Sequence, residues 1–449
     1  MATTYITRTP AGTGNQNTFT LSYWLKRSGL ADGNNFYSQS GGKCYMEFTS
    51  GDVLNIGMNT SGTSVDAIRT HRLFRDPSAW YHIVLRMDTT QGTEADRMRL
   101  YINGVEEVPG TWSTTNYPAE DADILMNTTL QYYIGSQTAS TNYFDGCMSH
   151  VQFVDGTSLA PTEFGEVDST SGIWKIKPTA YATPGTNGFY LKMEDRTNLD
   201  LDSSSNAFTF TTSGNLIATY DNPSNNFSTF SPLWYIPTHP PAFSDINGKL
   251  TLPGNTSVIW ATSTLGAVGG KYYAEFEIDK NDGHTILGIS QFGQFLSAAF
   301  VANTAPAAFA NSVGYLVYDG QMVIGPSSSK SAYGNALADA EILGMAWDLD
   351  NKRIYFSIDG VWQNSADPSA GSGYYDYSAL TGTGQWGVLI GDEAGSYNDI
   401  WFANWGNGYF GTTAVTSANA DGDGIGAFEY PVPTGFYALC TKNIYTYGG

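Results

Sequence analysis

The amino-acid sequence predicts an all-β protein with two antiparallel jelly-roll or β-sandwich domains joined by an ordered connector. Apolar and polar residues alternate along many short segments, as they do in half-buried strands. Asx-Gly pairs follow directly on two of these segments, as they do in hairpin turns. The composition agrees, because 14% of the residues are aromatic and the chain contains 50 glycines and 18 prolines. Such a balance favours short strands with frequent turns.

The chain has 449 residues, which is too many for one ordinary domain. The pattern divides it into four parts. We expect a first sandwich over 1–165, a connector with short strands over 166–244, a second sandwich over 245–415 and a C-terminal tail over 416–449. The tail is expected to pack on the second sandwich or on a partner.

The first sandwich shows the alternation most clearly. Every second residue is apolar in Phe19–Leu25, in Tyr81–Met87 and in Met98–Ile102. Asn103-Gly104 follows the last segment at once, and both residue types tolerate the positive φ angles of a two-residue hairpin turn. These segments are therefore predicted as strands, the last of which enters a hairpin.

The second sandwich repeats this pattern. Ile342–Asp350 and Ile354–Ile358 are predicted strands, and Asp359-Gly360 follows the second of them. Long helices are not expected, and Ala336–Ile342 is the best short helical candidate. The two halves therefore share an architectural type, without evidence of a repeat.

The connector and the tail have weaker patterns. The connector is rich in turn-forming residues, yet it also contains aromatic residues such as Trp174, Phe189 and Trp234. Such residues are too apolar for a free linker. We therefore expect short strands that pack on the domains.

The charge balance excludes some partners. The chain has 21 basic and 42 acidic residues, a net charge of −21, which repels nucleic acid and anionic membranes. No apolar run approaches the length of a membrane span, and the N-terminus lacks the pattern of a signal peptide. We expect neither a nucleic-acid partner nor membrane insertion, and we expect assembly in a cytoplasm.

The three cysteines, Cys44, Cys147 and Cys440, are an odd number at wide spacing. This is not a disulfide framework. Buried free thiols are the expected state.

Residues 1–165 resemble the laminin G-like, concanavalin A-type jelly roll. The likeness depends on the order of several short motifs, and it implies a β-sandwich. The motifs are Phe19–Trp24, Trp80–Val84, Leu100–Val105, Tyr133–Gly135 and Phe144–Val151.

Residues 245–415 resemble a SPRY (B30.2-type) domain. The motifs are Gly270–Ile278, Leu287–Ile289, Gly314-Tyr315, Tyr318–Gly320, Leu343–Asp350, Ile354–Phe356, Asp359-Gly360 and Asn404–Gly406. Ala274 stands where that family usually has Trp. The resemblance implies a module that binds a partner through loops at one edge of the sandwich, without catalysis.

The joints between these parts resemble virion proteins of tailed phages, which occur as fibre, tail or capsid-exterior components. The phrases are Phe144–Gly156, Gly172–Lys175, Gly188–Leu191, Asn225–Phe230 and Gly435–Thr441. This resemblance implies a location in the virion after assembly in the host cytoplasm. It also implies a homo-oligomer whose partners are other virion proteins and a host cell-surface glycan or protein.

Catalysis is not expected. Glu275, Glu277 and Asp279 alternate on one predicted strand, but glycoside hydrolases need a carboxylate pair at a fixed separation, and the spacing differs from the usual pattern of the jelly-roll hydrolases. None of the five histidines lies in a recognisable nucleophile motif. An exposed strand face is the alternative interpretation of the three carboxylates.

One metal site is a candidate. Asn419, Asp421 and Asp423 resemble the front of a calcium loop, with Gly424 at the sixth position. The twelfth position is Tyr430 rather than Glu. An ordinary Asx-Gly turn explains the same residues, and no other cofactor is expected.

A glycan site would need aromatic rings on loops, where they can stack on sugar faces. Candidates lie in or beside the Gly/Ser-rich loop of the second half, namely Trp362, Tyr374, Tyr375, Tyr377 and Trp386. Similar candidates in the first half are Tyr117, Tyr132, Tyr133 and Tyr143. Core packing is the alternative for each of them.

The preferred hypothesis is a non-enzymatic structural component of a tailed-phage particle, a fibre or surface protein that recognises a host-surface glycan. Three alternatives stay open. They are a capsid decoration protein without a receptor role, an intracellular SPRY protein-binding adaptor, and a glycoside hydrolase of the jelly-roll type.

Overall fold

The computed structural model of the protein describes residues 3–30, 33–39, 42–60, 63–107, 112–169, 172–177, 181–235, 242–244, 249–252, 259–281, 283–293, 309–392 and 398–449. It is 45% strand, and the described part contains a single α-helix. The chain forms two compact units, unit 1 (Met1–Ala218) and unit 2 (Thr219–Gly449). The predicted all-β class with antiparallel sheets is confirmed.

The described strands of unit 1 are mostly short. They are β1 (Tyr5–Arg8), β2 (Thr18–Arg27), β3 (Asn34–Gln39), β4 (Cys44–Phe48), β5 (Val53–Thr60), β6 (Thr63–Leu73), β7 (Trp80–Asp88), β8 (Met98–Ile102), β9 (Val105–Glu107), β10 (Trp112–Thr115), β11 (Tyr132–Ile134), β12 (Gly146–Asp155), β13 (Gly165–Val167), β14 (Trp174–Ile176), β15 (Phe189–Leu191) and β16 (Thr211–Ser213).

These strands form two large sheets. An eight-stranded sheet has the order β10-β6-β5-β4-β3-β11-β1-β16, and a six-stranded sheet has the order β15-β12-β2-β7-β8-β9. The alternate residues Phe19, Leu21, Tyr23 and Leu25 of β2 are fully buried in the core of unit 1. The period-two pattern therefore identifies the face of β2 that packs in the core, although the residues of the opposite face are buried as well.

The region predicted as a connector is divided between the two units at residue 218. Its first part adds one edge strand to each sheet of unit 1, because β15 pairs with β12 and β16 pairs with β1. The hairpin of β13 and β14 belongs to the same unit. These strands are too short to fold alone, and pairing with the sandwich satisfies their backbone groups.

The strands of unit 2 are again short. They are β17 (Phe230–Tyr235), β18 (Ala242–Ser244), β19 (Lys249–Leu252), β20 (Trp260–Ser263), β21 (Lys271–Lys280), β22 (Thr285–Gln291), β23 (Ser312–Leu316), β24 (Gln321–Ile324), β25 (Ser329–Ala332), β26 (Ile342–Asp348), β27 (Arg353–Ile358), β28 (Val361–Trp362), β29 (Tyr375–Asp376), β30 (Trp386–Asp392), β31 (Asp399–Asn404), β32 (Tyr409–Phe410), β33 (Thr413–Ala414) and β34 (Tyr437–Ala438), followed by the helix α1 (Thr441–Tyr447).

Two sheets enclose the core of unit 2. The first has seven strands in the order β17-β20-β30-β22-β23-β24-β25. The second has nine strands, with β18-β19-β31-β21-β26-β27-β28 in order, and β29 and β34 pair with β27 and β21. Four tryptophans are among its largest fully buried side chains, namely Trp347, Trp386, Trp401 and Trp405.

The C-terminal tail lies on the outward face of the nine-stranded sheet. Its strand β34 pairs in parallel with β21. The carboxylate of Glu275 on β21 accepts hydrogen bonds from the backbone N–H groups of Glu429 and Tyr430, both over 2.8 Å. The side chains of Tyr273 and Asn404 also donate to it, each over 3.0 Å. A buried carboxylate therefore anchors the tail.

Both Asx-Gly pairs form the expected hairpin turns. The φ angles are 51° and 78° at Asn103 and Gly104, and 47° and 76° at Asp359 and Gly360. Positive φ at both central residues is the mark of the type I′ turn, whose twist matches that of the flanking strands.

The helical candidate Ala336–Ile342 is wrong. Ala340 has a φ of 62°, which no right-handed helix tolerates, and Ile342 already begins β26. The helix lies instead at Thr441–Tyr447. No helix among the described residues is long and apolar enough to cross a membrane.

All three cysteines are buried thiols outside disulfide bonds, as expected. Burial raises the pKa of Cys44 to about 12 and that of Cys440 to about 11. A thiol with such a pKa holds its proton at neutral pH and is a poor nucleophile.

Candidate functional site

A groove of about 450 Å³ opens at one end of the seven-stranded sheet of unit 2. The end of β20, the end of β22 and the start of β30 meet there, because neighbouring strands in this sheet run antiparallel. We call it the neutral groove, and the described residues that line it are Ser231, Ser263, Thr264, Gln291, Phe292, Gly293, Thr383, Gly384 and Gln385.

None of these lining residues carries a charge. The stretches of sequence that supply them also lack Asp, Glu, Lys, Arg and His, over 222–238, 250–270, 285–318 and 377–391. A protein with a net charge of −21 therefore builds this groove from residues that carry no charge. Sequence reasoning missed it, and the long uncharged runs are the signal that could have found it.

One aromatic ring forms part of the groove wall. The ring of Phe292 packs over Gly387 and Gly266, where an added Cβ atom would come within 2.1 Å and 2.8 Å of it. The backbone N–H of Phe292 donates to the carbonyl of Gln385 over 2.8 Å. Two glycines and one backbone hydrogen bond thus hold the half-buried ring in place.

The polar groups of the groove differ in how far they are already used. The hydroxyl of Ser263 donates to the carbonyl of Leu265 and accepts from the N–H of Val388, so it is occupied. The side-chain amide of Gln291 donates to the carbonyl of Thr383, which orients the amide and leaves its oxygen as an acceptor.

The loop before β30 supplies the remaining groups. Thr383 and Gln385 are exposed. Within the described part of the chain, the Thr383 hydroxyl and the Gln385 amide form no hydrogen bond. The groove therefore offers one oriented acceptor, one hydroxyl and one amide, all neutral.

Two of the predicted sugar-stacking residues belong to the core. Tyr377 and Trp386 have exposed fractions of 0% and 1%, and their rings pack against each other with centroids 5.7 Å apart. Trp386 opens β30, where strand alternation turns its side chain inward. Neither ring presents a face to a ligand, although the backbone of Trp386 bonds to Ala267 beside the groove.

The other three predicted residues lie on the nine-stranded sheet or next to it, away from the groove. Trp362, Tyr374 and Tyr375 are half-buried against the core of unit 2. The guanidinium of Arg353 lies 4.3 Å from the ring centre of Tyr374. The structure does not bring these residues together with the neutral groove, and their role in binding stays a prediction.

The candidate calcium loop is held by its own hydrogen bonds. Asp421 has an exposed fraction of 6%, and its two oxygens accept four N–H bonds. The donors are the backbone N–H groups of Asp423, Ile425 and Ala438 and the side-chain amide of Asn443.

The neighbours of Asp421 have partners of their own. The amide of Asn419 donates to the carbonyl of Glu429, and the carboxylate of Asp423 accepts from the Tyr447 hydroxyl. Among the described residues, no group of three or more His, Cys, Asp or Glu could hold a metal ion. These contacts favour the Asx-Gly turn interpretation over the calcium loop, because the Asp421 oxygens are already occupied.

The three carboxylates of β21 do not form a hydrolytic pair. Glu275 is fully buried beneath the tail. Burial raises its pKa to about 7, although four hydrogen bonds lower it. Glu277 is half-buried and Asp279 is exposed. A substrate cannot reach Glu275 while the tail covers it.

Unit 1 contains a buried serine–histidine pair that sequence reasoning did not identify. Nε2 of His82 lies 2.9 Å from the Ser22 hydroxyl, and the indole N–H of Trp174 donates to Nδ1 over 2.8 Å. Since Nδ1 accepts, the neutral imidazole carries its proton on Nε2. Nε2 therefore donates to Ser22 and cannot act as the base that a serine nucleophile needs.

A second such pair lies at a bulge of β12. The Ser149 hydroxyl is 2.7 Å from Nδ1 of His150, whose Nε2 is 3.4 Å from the carboxylate of Glu194. Burial lowers the pKa of His150 to about 4, against the opposite effect of Glu194. Such an imidazole is a weak base, and Ser149 itself is 8% exposed.

The comparisons with known proteins agree with the architecture of unit 1. Residues 1–163 match the Laminin_G_3 family, described as the concanavalin A-like lectin/glucanases superfamily. Residues 1–163 are thus similar to this superfamily, in agreement with the resemblance that the sequence motifs carry. No curated protein matches the chain in sequence.

Three solved structures are similar to parts of this chain. The SPRY domain of human HERC1 matches at 14% identity and a TM-score of 0.30, over 39% of this chain and 96% of that chain. A protein from Bacteroides ovatus described as a candidate carbohydrate-binding protein matches at 16% identity and a TM-score of 0.30, over 47% of this chain and 57% of that chain. The PSpry domain of TRIM65 matches at 14% identity and 0.29, over 40% and 89%.

Proposed function

We propose that this chain is a non-enzymatic glycan-recognition protein and that the neutral groove of unit 2 binds an uncharged sugar. The observation that carries the proposal is the composition of the groove. One aromatic ring lies beside an oriented amide oxygen, a hydroxyl and a second amide, and no charged side chain is among the described residues that line the groove.

These groups suit the chemistry of a sugar. The C–H groups of a pyranose form an apolar surface, which can pack on an aromatic ring such as that of Phe292. Its hydroxyls both donate and accept, so they can pair with the acceptor of Gln291 and with the amide of Gln385. A concave site with a few placed polar groups is also the usual form of a small-ligand site.

The charge of the protein argues for a neutral sugar. An anionic sugar would meet no cation among the lining residues that the structure describes and would approach a chain with a net charge of −21. It would lose hydration without a compensating charge. Neutral hexoses avoid both costs.

Unit 1 supports a sugar-related role in a coarser way. Its family description contains lectins and glucanases, so the fold is one on which sugar recognition occurs. Fold alone does not define function, and for this reason the proposal depends on the groove.

We propose recognition rather than hydrolysis for a geometric reason. Glycosidases use two carboxyl groups about 5–10 Å apart across the scissile bond. The described residues that line the neutral groove include no carboxyl group, and Glu275, the best acidic candidate of unit 2, lies under the tail. A glycan bound in the groove would therefore be released unchanged.

We further propose that the protein acts on the outside of a tailed-phage particle, where it recognises a host-surface glycan. The support is the resemblance of the joints, such as Gly172–Lys175 and Gly435–Thr441, to virion proteins. Electron microscopy of particles with gold-labelled protein tests this. Density at a fibre tip supports host recognition, whereas density on the capsid lattice points to a decoration protein.

The test of the groove is a glycan array probed with the full chain and with Gln385→Ala. We expect binding to neutral glycans, and about a tenfold loss for the variant, because one good hydrogen bond contributes about 1.4 kcal/mol. Gln91→Ala, which changes an exposed glutamine of unit 1, is the matched control.

Two outcomes contradict the proposal. Binding restricted to anionic glycans would show that the groove is not the site. Cleavage of a bound glycan, detected as new reducing ends and lost in Glu275→Gln or Glu277→Gln, would show that the protein is an enzyme.

A further inference from the structure

The outward face of the eight-stranded sheet of unit 1 carries a row of residues defined by strand pairing. Tyr45 on β4 is opposite Ser38 on β3, and Ser38 is opposite Tyr133 on β11. The residues before and after Tyr133 point into the core with exposed fractions of 2% and 1%. Strand alternation therefore places Tyr133 on the outward face, with Ser38 between two tyrosines.

Two further tyrosines extend this row. The ring centre of Tyr5 lies 5.6 Å from that of Tyr133 and 6.2 Å from that of Tyr143. All four tyrosines are only half-buried. We call Tyr5, Tyr45, Tyr133 and Tyr143 the tyrosine surface.

Hydrogen bonds hold three of these rings, and the hydroxyl of Tyr45 accepts from the side-chain amide of Asn55 over 3.4 Å. The hydroxyl of Tyr133 donates to the side-chain oxygen of Gln131 over 3.0 Å, and the hydroxyl of Tyr143 donates to the carbonyl of Ala139 over 2.8 Å. The ring orientations are thus set before any ligand arrives. A surface arranged in advance loses less conformational entropy when it binds.

The surroundings of the tyrosine surface are polar and uncharged on one side. Residues 136–142 contain no charged side chain. Asn142 donates to the Gln137 side chain over 2.7 Å, and the hydroxyls of Thr138 and Thr141 are 2.8 Å apart. These amides and hydroxyls can pair with the hydroxyls of a sugar.

Two buried hydroxyls provide a second, independent observation. Ser38 and Ser136 have exposed fractions of 0%, and neither hydroxyl has a hydrogen-bond partner among the described residues. Ser38 lies between Tyr45 and Tyr133, and Ser136 forms a bridge with Tyr143. Buried polar atoms are normally paired, and a ligand hydroxyl that enters between the rings would supply a partner.

We infer that the tyrosine surface is a second glycan site, for a neutral oligosaccharide that lies across β4, β3, β11 and β1. Protein–protein interfaces are also rich in tyrosine, so the choice of a sugar depends on the uncharged amides and hydroxyls of residues 136–142 beside the rings. This site shares no residue with the neutral groove, so either site can fail without the other.

The first experiment is chemical protection of the full chain. Tetranitromethane nitrates exposed tyrosines, and peptide mass spectrometry locates the product. We expect millimolar cellohexaose or maltohexaose to protect Tyr133 and Tyr143, while Tyr318 of unit 2 reacts at an unchanged rate. Equal nitration of the two tyrosines with and without both sugars overturns the inference.

The second experiment is calorimetric titration of the protected sugar into variants. Tyr143→Ala should weaken binding at the tyrosine surface roughly tenfold, since a stacked ring contributes up to about 1.4 kcal/mol. Tyr143→Phe should keep the ring and therefore the affinity. Gln385→Ala should leave this site unchanged. Loss of all binding in Gln385→Ala would assign the sugar to the neutral groove and overturn the inference. If binding is instead retained in Gln385→Ala and lost in Tyr143→Ala, the tyrosine surface is the site and only the proposal for the neutral groove is contradicted.

Discussion

In each unit, a later segment of the chain covers the outward face of one sheet. The buried residue that holds this segment by hydrogen bonds differs between the two units. In unit 1, Trp174 of β14 lies over the six-stranded sheet and donates to the buried imidazole of His82. In unit 2, the tail lies over the nine-stranded sheet and donates two backbone N–H groups to the buried carboxylate of Glu275. The first cover depends on ring packing around a neutral base, and the second depends on hydrogen bonds to an acid.

The two covering segments make the same kind of contact, each within its own unit. The ring of Trp174 lies against Gly104, and the ring of Tyr430 lies against Gly360. Both glycines are the second residue of an Asx-Gly hairpin turn. In both units, therefore, an aromatic ring packs against the glycine of an Asx-Gly turn. The buried ionisable residue nearby differs, so the stability of each unit should respond differently to pH.

The largest expected effect comes from removal of the acidic anchor. At a pH of about 4.5, where the contribution of Glu275 is largest, Glu275→Ala should lower the free energy of unfolding of unit 2 by about 3–5 kcal/mol, because four buried donors lose their acceptor. Urea denaturation measures the loss, and hydrogen exchange over 427–440 locates it. Glu277→Ala, a half-buried neighbour on the same strand, should cost less than about 1 kcal/mol. Equal costs would mean that Glu275 does not anchor the tail.

The two anchors should respond to pH with opposite signs. Burial raises the pKa of Glu275 to about 7 in the folded protein, above the usual value of about 4.3. The folded state therefore binds the proton more tightly than the unfolded state does. The contribution of Glu275 to stability is present at low pH and declines by about 3 kcal/mol as the pH rises through 4.5 to 7.

His82 behaves in the reverse way. Burial lowers its pKa to about 3, below the usual value of about 6.5, so the unfolded state binds the proton more tightly. Its contribution is present above pH of about 6.5 and is lost as the pH falls toward 3. Unfolding free energies of Glu275→Gln and His82→Gln, each subtracted from the parent at several pH values, should give opposite slopes. Parallel slopes would refute this assignment.

The shared turn contact predicts a smaller effect. Gly104→Ala and Gly360→Ala should each cost about 2–3 kcal/mol, because a Cβ atom would meet the covering ring within 2.7 Å and 2.5 Å in addition to the strain of positive φ. Gly172→Ala and Gly435→Ala are matched controls with positive φ and nothing within 4 Å, and they should cost about 1 kcal/mol. Thermal denaturation measures the loss of stability in each variant. Equal losses in the test pair and the control pair would show that contact with the ring adds nothing to the cost of positive φ.

The smallest expected effect concerns the neutral anchor. Trp174→Phe keeps an aromatic ring but removes the indole N–H, which leaves Nδ1 of His82 without its donor. We expect a loss of about 1–2 kcal/mol. Urea denaturation measures it, and Trp24→Phe, whose indole N–H has no partner among the described residues, is the control. A loss as large as that of Glu275→Ala would show that the two anchors are equivalent.

Sequence reasoning succeeded where the signal is local. The alternation in Phe19–Leu25 and the turns at Asn103-Gly104 and Asp359-Gly360 depend on residues that are neighbours in the chain, and the structure confirms them. The helix at Thr441–Tyr447 was missed, because a segment of this length has little helical preference by itself and is stabilised by its packing in unit 2.

The candidate sites were harder to predict for the same reason. Tyr377 and Trp386 looked like loop aromatics beside a Gly/Ser-rich segment, and the structure buries both. Composition cannot tell a ring in the core from a ring on the surface, since both uses occur in turn-rich segments. The neutral groove was missed because its residues come from four separate stretches of the chain.

The sequence by itself determined the all-β class, the positions of many strands, both hairpin turns and the excess of acidic residues, because each of these follows from local pattern or from a sum over the chain. The tertiary structure alone decided which carboxylate lies under the tail, which histidine accepts from Trp174, and which tyrosines share the outward face of the eight-stranded sheet. These depend on pairing between distant strands, where a shift of one residue would turn every side chain to the opposite face.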